Sequence, residues 1–213
     1  GIVMNGVRYD TPALAGFSAS ASWGEDDFWE VALRYAGEFS GFKVALGAGY
    51  SEFTDEGTTV ALPAGSTKAT NFFQAGGYVQ HLATGLFVHA AYGHEDNGDT
   101  RIGAAAVIPP DGQHWYVKAG IRQKWTSLGA TIIYGDYAED NDQIGTVALC
   151  LGVTDSTMQR CGAGIAQAID AAAMTVYLKY QHYDASISGP ALDAALTDLD
   201  SADFVSFGGL INF

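Results

Sequence analysis

FWEVALRYAGEFSGFKVALGAGYSEF, residues 28–53, decides the fold: two alternating runs joined by the Gly- and Ser-containing turn at 37–41. In the first run Trp29, Val31, Leu33 and Tyr35 share one parity while Glu30, Ala32 and Arg34 share the other. In the second, Phe42, Val44, Leu46, Ala48 and Tyr50 alternate with Lys43, Ala45, Gly47, Gly49 and Ser51. A period of two is that of a pleated strand. The apolar face is aromatic at its ends and aliphatic between them, and the other face is small, Gly-rich and sparsely charged. That division suits lipid on one side and a water-filled lumen on the other.

Composition points the same way. Among 213 residues there are 27 Gly and 5 Pro, and 16% are charged, against roughly 25% in soluble domains. Long sheets with tight turns follow. The net charge of -14 argues against nucleic acid, which needs clustered Lys and Arg. No apolar run reaches the ~20 residues of a membrane-spanning helix, so a bilayer-spanning form of this chain is a closed barrel. The first residues, Gly1-Ile2-Val3, carry no initiator Met and no signal-peptide pattern, as in a processed chain or part of a longer one.

Other strands read similarly. Val7 and Tyr9 alternate with Arg8; Phe17, Ala19, Ala21 and Trp23 alternate with serines; Leu86, Val88, Ala90 and Tyr92 alternate with Phe87, His89 and Ala91. His114–Trp125 places Trp115, Val117, Ala119, Ile121 and Trp125 opposite Tyr116, Lys118, Gly120, Arg122 and Lys124. Its two tryptophans would stand roughly 25 Å apart along a membrane normal, the height of an apolar band. Parity over Ala130–Ala138 is ambiguous. Glu139–Arg160 reads as the longest loop, followed by a weak strand from Cys161 to Ala168. Cys150 and Cys161, assigned to that polar segment and its end, read as a disulfide pair, the alternative being two unrelated thiols. Short turns fall on one edge of the sheet and long acidic loops on the other, as in outer-membrane barrels.

Asn5-Gly-Val-Arg-Tyr-Asp-Thr-Pro-Ala-Leu-Ala-Gly-Phe17, then Ser20-Ala-Ser-Trp-Gly24 and Glu25-Asp26-Asp27, resemble the hairpin of Gram-negative general porins, particularly alphaproteobacterial ones. Phe213, with Ile211, Phe207 and Val205 in phase behind it, resembles the C-terminal signature that barrel-assembly machinery reads. The resemblance implies an all-β transmembrane barrel of sixteen strands, a homotrimer in contact with lipid and lipopolysaccharide, and passive passage of small hydrophilic solutes. About eleven strands are legible here, so residues 1–213 read as a single porin barrel domain, the C-terminal portion of a longer porin lacking some N-terminal strands. Single-chain barrels normally have an even count.

The expected pore lining comprises Arg8, Glu30, Arg34, Lys43, His89, Lys118, Arg122, Lys124 and Lys179, a largely basic wall with acidic residues concentrated in loops. Trp23, Trp29, Tyr35, Tyr50, Tyr92, Trp115, Trp125 and Phe213 are the expected lipid-facing aromatic girdle. The five histidines are not spaced as metal ligands, no Gly-x-Ser-x-Gly elbow is present, and the sequence predicts neither cofactor nor catalysis. Two other readings stay open: a non-conducting structural or adhesive barrel, and a soluble ligand-binding barrel with Trp29, Val31 and Leu33 buried.

Overall fold

A computed structural model describes residues 5–25, 27–54, 69–98, 100–101, 108–143, 153–189 and 199–211. Eleven strands form one antiparallel sheet in sequence order: β1 (Gly6–Asp10), β2 (Phe17–Gly24), β3 (Trp29–Phe39), β4 (Phe42–Thr54), β5 (Ala69–His81), β6 (Leu86–Asp96), β7 (Gly112–Thr126), β8 (Gly129–Asn141), β9 (Asp155–Ile169), β10 (Met174–Ser188) and β11 (Ala202–Ile211). Each strand pairs with the next. β3 and β4 meet through Phe39 and Phe42, leaving Ser40 and Gly41 at φ 49° and 81°. Positive φ at both central residues is the hairpin geometry whose twist matches the strands. Ala15 and Gly16, at φ 50° and 86°, repeat it between β1 and β2.

The register carries the alternation of residues 28–53 across the whole sheet. Leu33 faces Ala19 and Ala48, Tyr50 faces Phe73, Tyr92 faces Trp115, and Ile133 faces both Ile121 and Ile165. One face is therefore apolar over the middle of the strands. No second layer covers it: Trp29, Val31 and Leu33 are 38%, 45% and 55% exposed, and Phe207 is 85% exposed. Lipid is the medium that such a face requires.

The sheet is open, with β1 and β11 at its edges. Eleven alternating strands leave those edges running in the same direction. Antiparallel closure therefore takes an odd number of further strands.

The β8–β9 region corrects the sequence reading. β9 begins at Asp155, so Arg160 and Cys161 lie within a fifteen-residue strand rather than in a loop or at its end. Its neighbour β10 runs to Ser188. The start of β9 carries no apolar alternation because Thr157, Gln159 and Cys161 are not hydrophobic, and Asp184 and Ser186 opposite them are no more so. They stand towards the long-loop end, with Cys161 level with Tyr137. Cys161 is exposed, faces Tyr137 and His182, and has no disulfide partner among the described residues; Cys150 lies outside them.

Candidate functional site: the polar face of the sheet

The polar face is built by the positions between the apolar ones, and its rows follow from register. One row runs Arg34, Gly47, Gly76, Ala91, Tyr116, Ala138, Arg160 and Tyr183; the next runs Ala36, Ala45, Tyr78, His89, Lys118, Asp136, Gly162 and Gln181. Small residues dominate β3–β6. On β7–β9, Tyr116, Lys118 and Arg160 stand among Asp136, Ala138 and Gly162.

Arg8, Glu30, Arg34, Lys43, His89, Lys118, Arg122 and Lys179 all fall on this face, as the alternation predicts. Lys124 does not continue the row. The register shifts between Gln123 and Thr126, which breaks the parity count, and Lys124 reaches Asp170 at 3.3 Å on the short-turn edge. The same shift interrupts the count that put Trp125 on the apolar face. Trp23, Trp29, Tyr35, Tyr50, Tyr92 and Trp115 are on that face, with Trp29 beside Tyr50 at 5.3 Å and Trp115 beside Tyr137 at 4.8 Å between centroids. Phe213 lies outside the described residues.

Acidic residues are not confined to loops. Asp10, Glu30, Glu38, Glu95, Asp136 and Asp140 share the polar face with the cations. What distinguishes one part of the wall from another is pairing. On β1–β3, Arg8 contacts Asp10 at 2.9 Å and Glu30 at 3.5 Å, Ser22 also donates to Glu30, and Arg34 donates to Ser20 at 3.0 Å. Arg8 is cancelled there, whereas Arg34 has a neutral partner. On β7–β9, Lys118, Arg122 and Arg160 have no carboxylate partner among the described residues. Lys118 Nζ lies 4.3 Å from the Tyr134 ring centroid, and Arg160 Cζ lies 5.7 Å from that of Tyr116. Arg160 Nε is buried without a hydrogen-bond partner. An aromatic ring attracts a cation through its quadrupole but carries no net charge, so these three cations remain uncancelled.

Beside them are His89, edge-on to Tyr116 at 5.5 Å, and His114, whose Nδ1 is 2.5 Å from Asp140. Each histidine has its own aromatic or carboxylate neighbour, and no group of three metal-ligating side chains converges among the described residues.

A family model described as Gram-negative porin matches residues 3–186. The chain belongs to the Gram-negative porin family. No curated protein matches it at a significant level. The anion-selective porin of Comamonas acidovorans superimposes with a TM-score of 0.62 at 11% identity, covering 96% of this chain and 58% of that one. Outer-membrane expressed OmpT of Vibrio cholerae gives 0.52 at 14% identity, covering 96% and 62%. This porin thus spans about three fifths of the length of those neighbours. At such identity the likeness is one of fold, an outer-membrane β-barrel.

Sequence reasoning missed Arg160 and Tyr134 of the porin's polar face, and placed Tyr116 there without giving it a role. Arg160 was hidden by the false loop, although extending the parity of Ala166 and Gly164 backwards reaches it. Tyr134 lies where the parity of residues 130–138 is ambiguous in sequence, and neither tyrosine's contact with a cation is visible there. Their glycine neighbours were the available signal: Gly120 and Gly164 face Tyr134 from the strands on either side.

Proposed function

We propose that this porin forms the wall of an outer-membrane diffusion channel for small hydrophilic solutes, with a preference for anions. The observation that carries the preference is the set Lys118, Arg122 and Arg160, which has no carboxylate partner among the described residues, on a face where Arg8 is paired with Asp10 and Glu30. Charged rings and patches along a water column set which ions dwell there. The neighbouring Comamonas protein, named as anion-selective, is consistent with this reading. Trimeric assembly, contact of the apolar face with lipid and lipopolysaccharide, and delivery by barrel-assembly machinery through the C-terminal strand belong to the same proposal. So does a transport role in place of a catalytic one.

Reversal potential of the full-length protein in a planar bilayer, across a potassium chloride gradient, tests it. The expected sign is that of chloride preference, and the Lys118→Gln, Arg122→Gln, Arg160→Gln triple variant moves it towards potassium. A protein that inserts without conducting would instead be a structural barrel.

A further inference from the structure

Asp136 stands directly across from Lys118 in the β7–β8 register. Facing residues of an antiparallel pair have Cα atoms about 5 Å apart, and opposite charges so placed ordinarily attract each other. Here they do not pair. Lys118 Nζ sits over Tyr134 at 4.3 Å from the centroid and 5.8 Å from that of Tyr116, and it makes no ion pair among the described residues. The carboxylate takes a different donor, the Tyr116 hydroxyl, 3.5 Å from Asp136 Oδ2.

The ring that holds Lys118 is itself held. Tyr134 is flanked in register by Gly120 and Gly164. A methyl on Gly164 would stand 2.5 Å from the ring's Cζ and Oη, whereas one on Gly120 would meet backbone, the Ile133 carbonyl oxygen first, and not the ring. The ring therefore occupies space that only glycine leaves open, and it presents a face on which the ammonium rests.

We propose that Tyr134 is a positioning residue for ion selectivity, holding Lys118 off Asp136 so that the two charges act on passing ions separately instead of cancelling. This deepens the anion-preference reading and rests on it. Removing the ring frees Lys118 to close onto Asp136, so a substitution that changes no charge shifts selectivity. A ring without its hydroxyl still offers the cation its face.

The test uses reversal potentials of the full-length channel with Tyr134→Leu, Tyr134→Phe, Asp136→Asn and the Tyr134→Leu, Asp136→Asn double variant. Tyr134→Thr, β-branched and suited to a strand, replaces the leucine variant if that fails to assemble. The expected result is a fall of roughly two- to fivefold in the chloride-to-potassium permeability ratio for Tyr134→Leu. Tyr134→Phe should keep the wild-type ratio, and Asp136→Asn should restore it in the leucine background. A wild-type channel that prefers chloride and an unaltered ratio in Tyr134→Leu would overturn this proposal while leaving the selectivity reading intact. Equal loss in the phenylalanine variant, or no rescue by Asp136→Asn, would also overturn it. A wild-type channel with no chloride preference overturns both.

Discussion

Tyr134 lies across from Gly164, its ring tip 2.5 Å from where a Cβ on that glycine would stand. Tyr177 meets Gly208 in the same way, 2.7 Å from the hydroxyl. Rings laid over facing glycines shield the backbone and give a single-layer sheet some of the side-chain packing that it otherwise lacks. Gly164→Ala is expected to lift the ring and destabilise the barrel by about 1–2 kcal/mol, the range of a core overpacked by one methyl. Gly47→Ala is the control, since its Cβ meets nothing nearer than 3.9 Å. Urea unfolding in lipid vesicles would read both, and equal midpoints for the two would contradict the packing role. The Gly164 penalty should shrink in a Tyr134→Leu background.

Ile133, between Ile121 and Ile165 on the apolar face, and Gln159, beside Glu139 at the long-loop end, predict opposite tolerances to charge. Arginine at Ile133 must enter hydrocarbon and is expected to cost about 2–4 kcal/mol. At Gln159 the cost is about 0–1 kcal/mol, because an interfacial side chain reaches water. Refolding yields into vesicles should separate Ile133→Arg from Gln159→Arg, and similar yields would mean that the apolar band is misplaced.

Most of the sheet was legible because hydrocarbon imposes a strict rule on alternate positions. Leu33, Leu46, Val88 and Ile121 satisfy it, and the register they imply is the register found. Where the rule lapses, the strand is harder to read: Thr157, Gln159 and Cys161, towards the long-loop end, carry no apolar alternation. The polar wall was legible by residue and not by pairing. Nothing in the order of Arg8, Glu30, Lys118 and Asp136 says that the first two neutralise each other and the last two do not. That difference arises from Tyr134 and Tyr116, whose rings and hydroxyl compete for the cation and the carboxylate across strands.

The thiol of Cys161 provides a chemical test of this corrected strand. Cys161 lies within a fifteen-residue strand, exposed and without a disulfide partner among the described residues. Unreduced protein in detergent micelles is therefore expected to take up a lipophilic maleimide at Cys161, located by peptide mass spectrometry and lost in Cys161→Ser. Labelling that requires prior reduction would restore the disulfide.

Glu25, at the tip following β2, joins β1 to its neighbour through both carboxylate oxygens. Its Oε1 accepts the Asn5 backbone N–H and its Oε2 the Asn5 side-chain amide, each at 3.0 Å, while its own N–H donates to the Asn5 carbonyl. The two Asn5 donors, backbone first, hold the Glu25 carboxyl below the ordinary glutamate value. A carboxyl depressed by folding stabilises the folded state most fully above its unfolded pKa, about 4.3. That contribution fades as the pH falls through the lower folded-state value, because the protonated group no longer accepts both bonds as an anion. Amide exchange at Asn5 should therefore accelerate, relative to the interior of β3, only on the acid side of that range. Glu25→Gln should be faster near neutrality and lose the acid step; an unchanged pH profile in that variant would assign the step to another group.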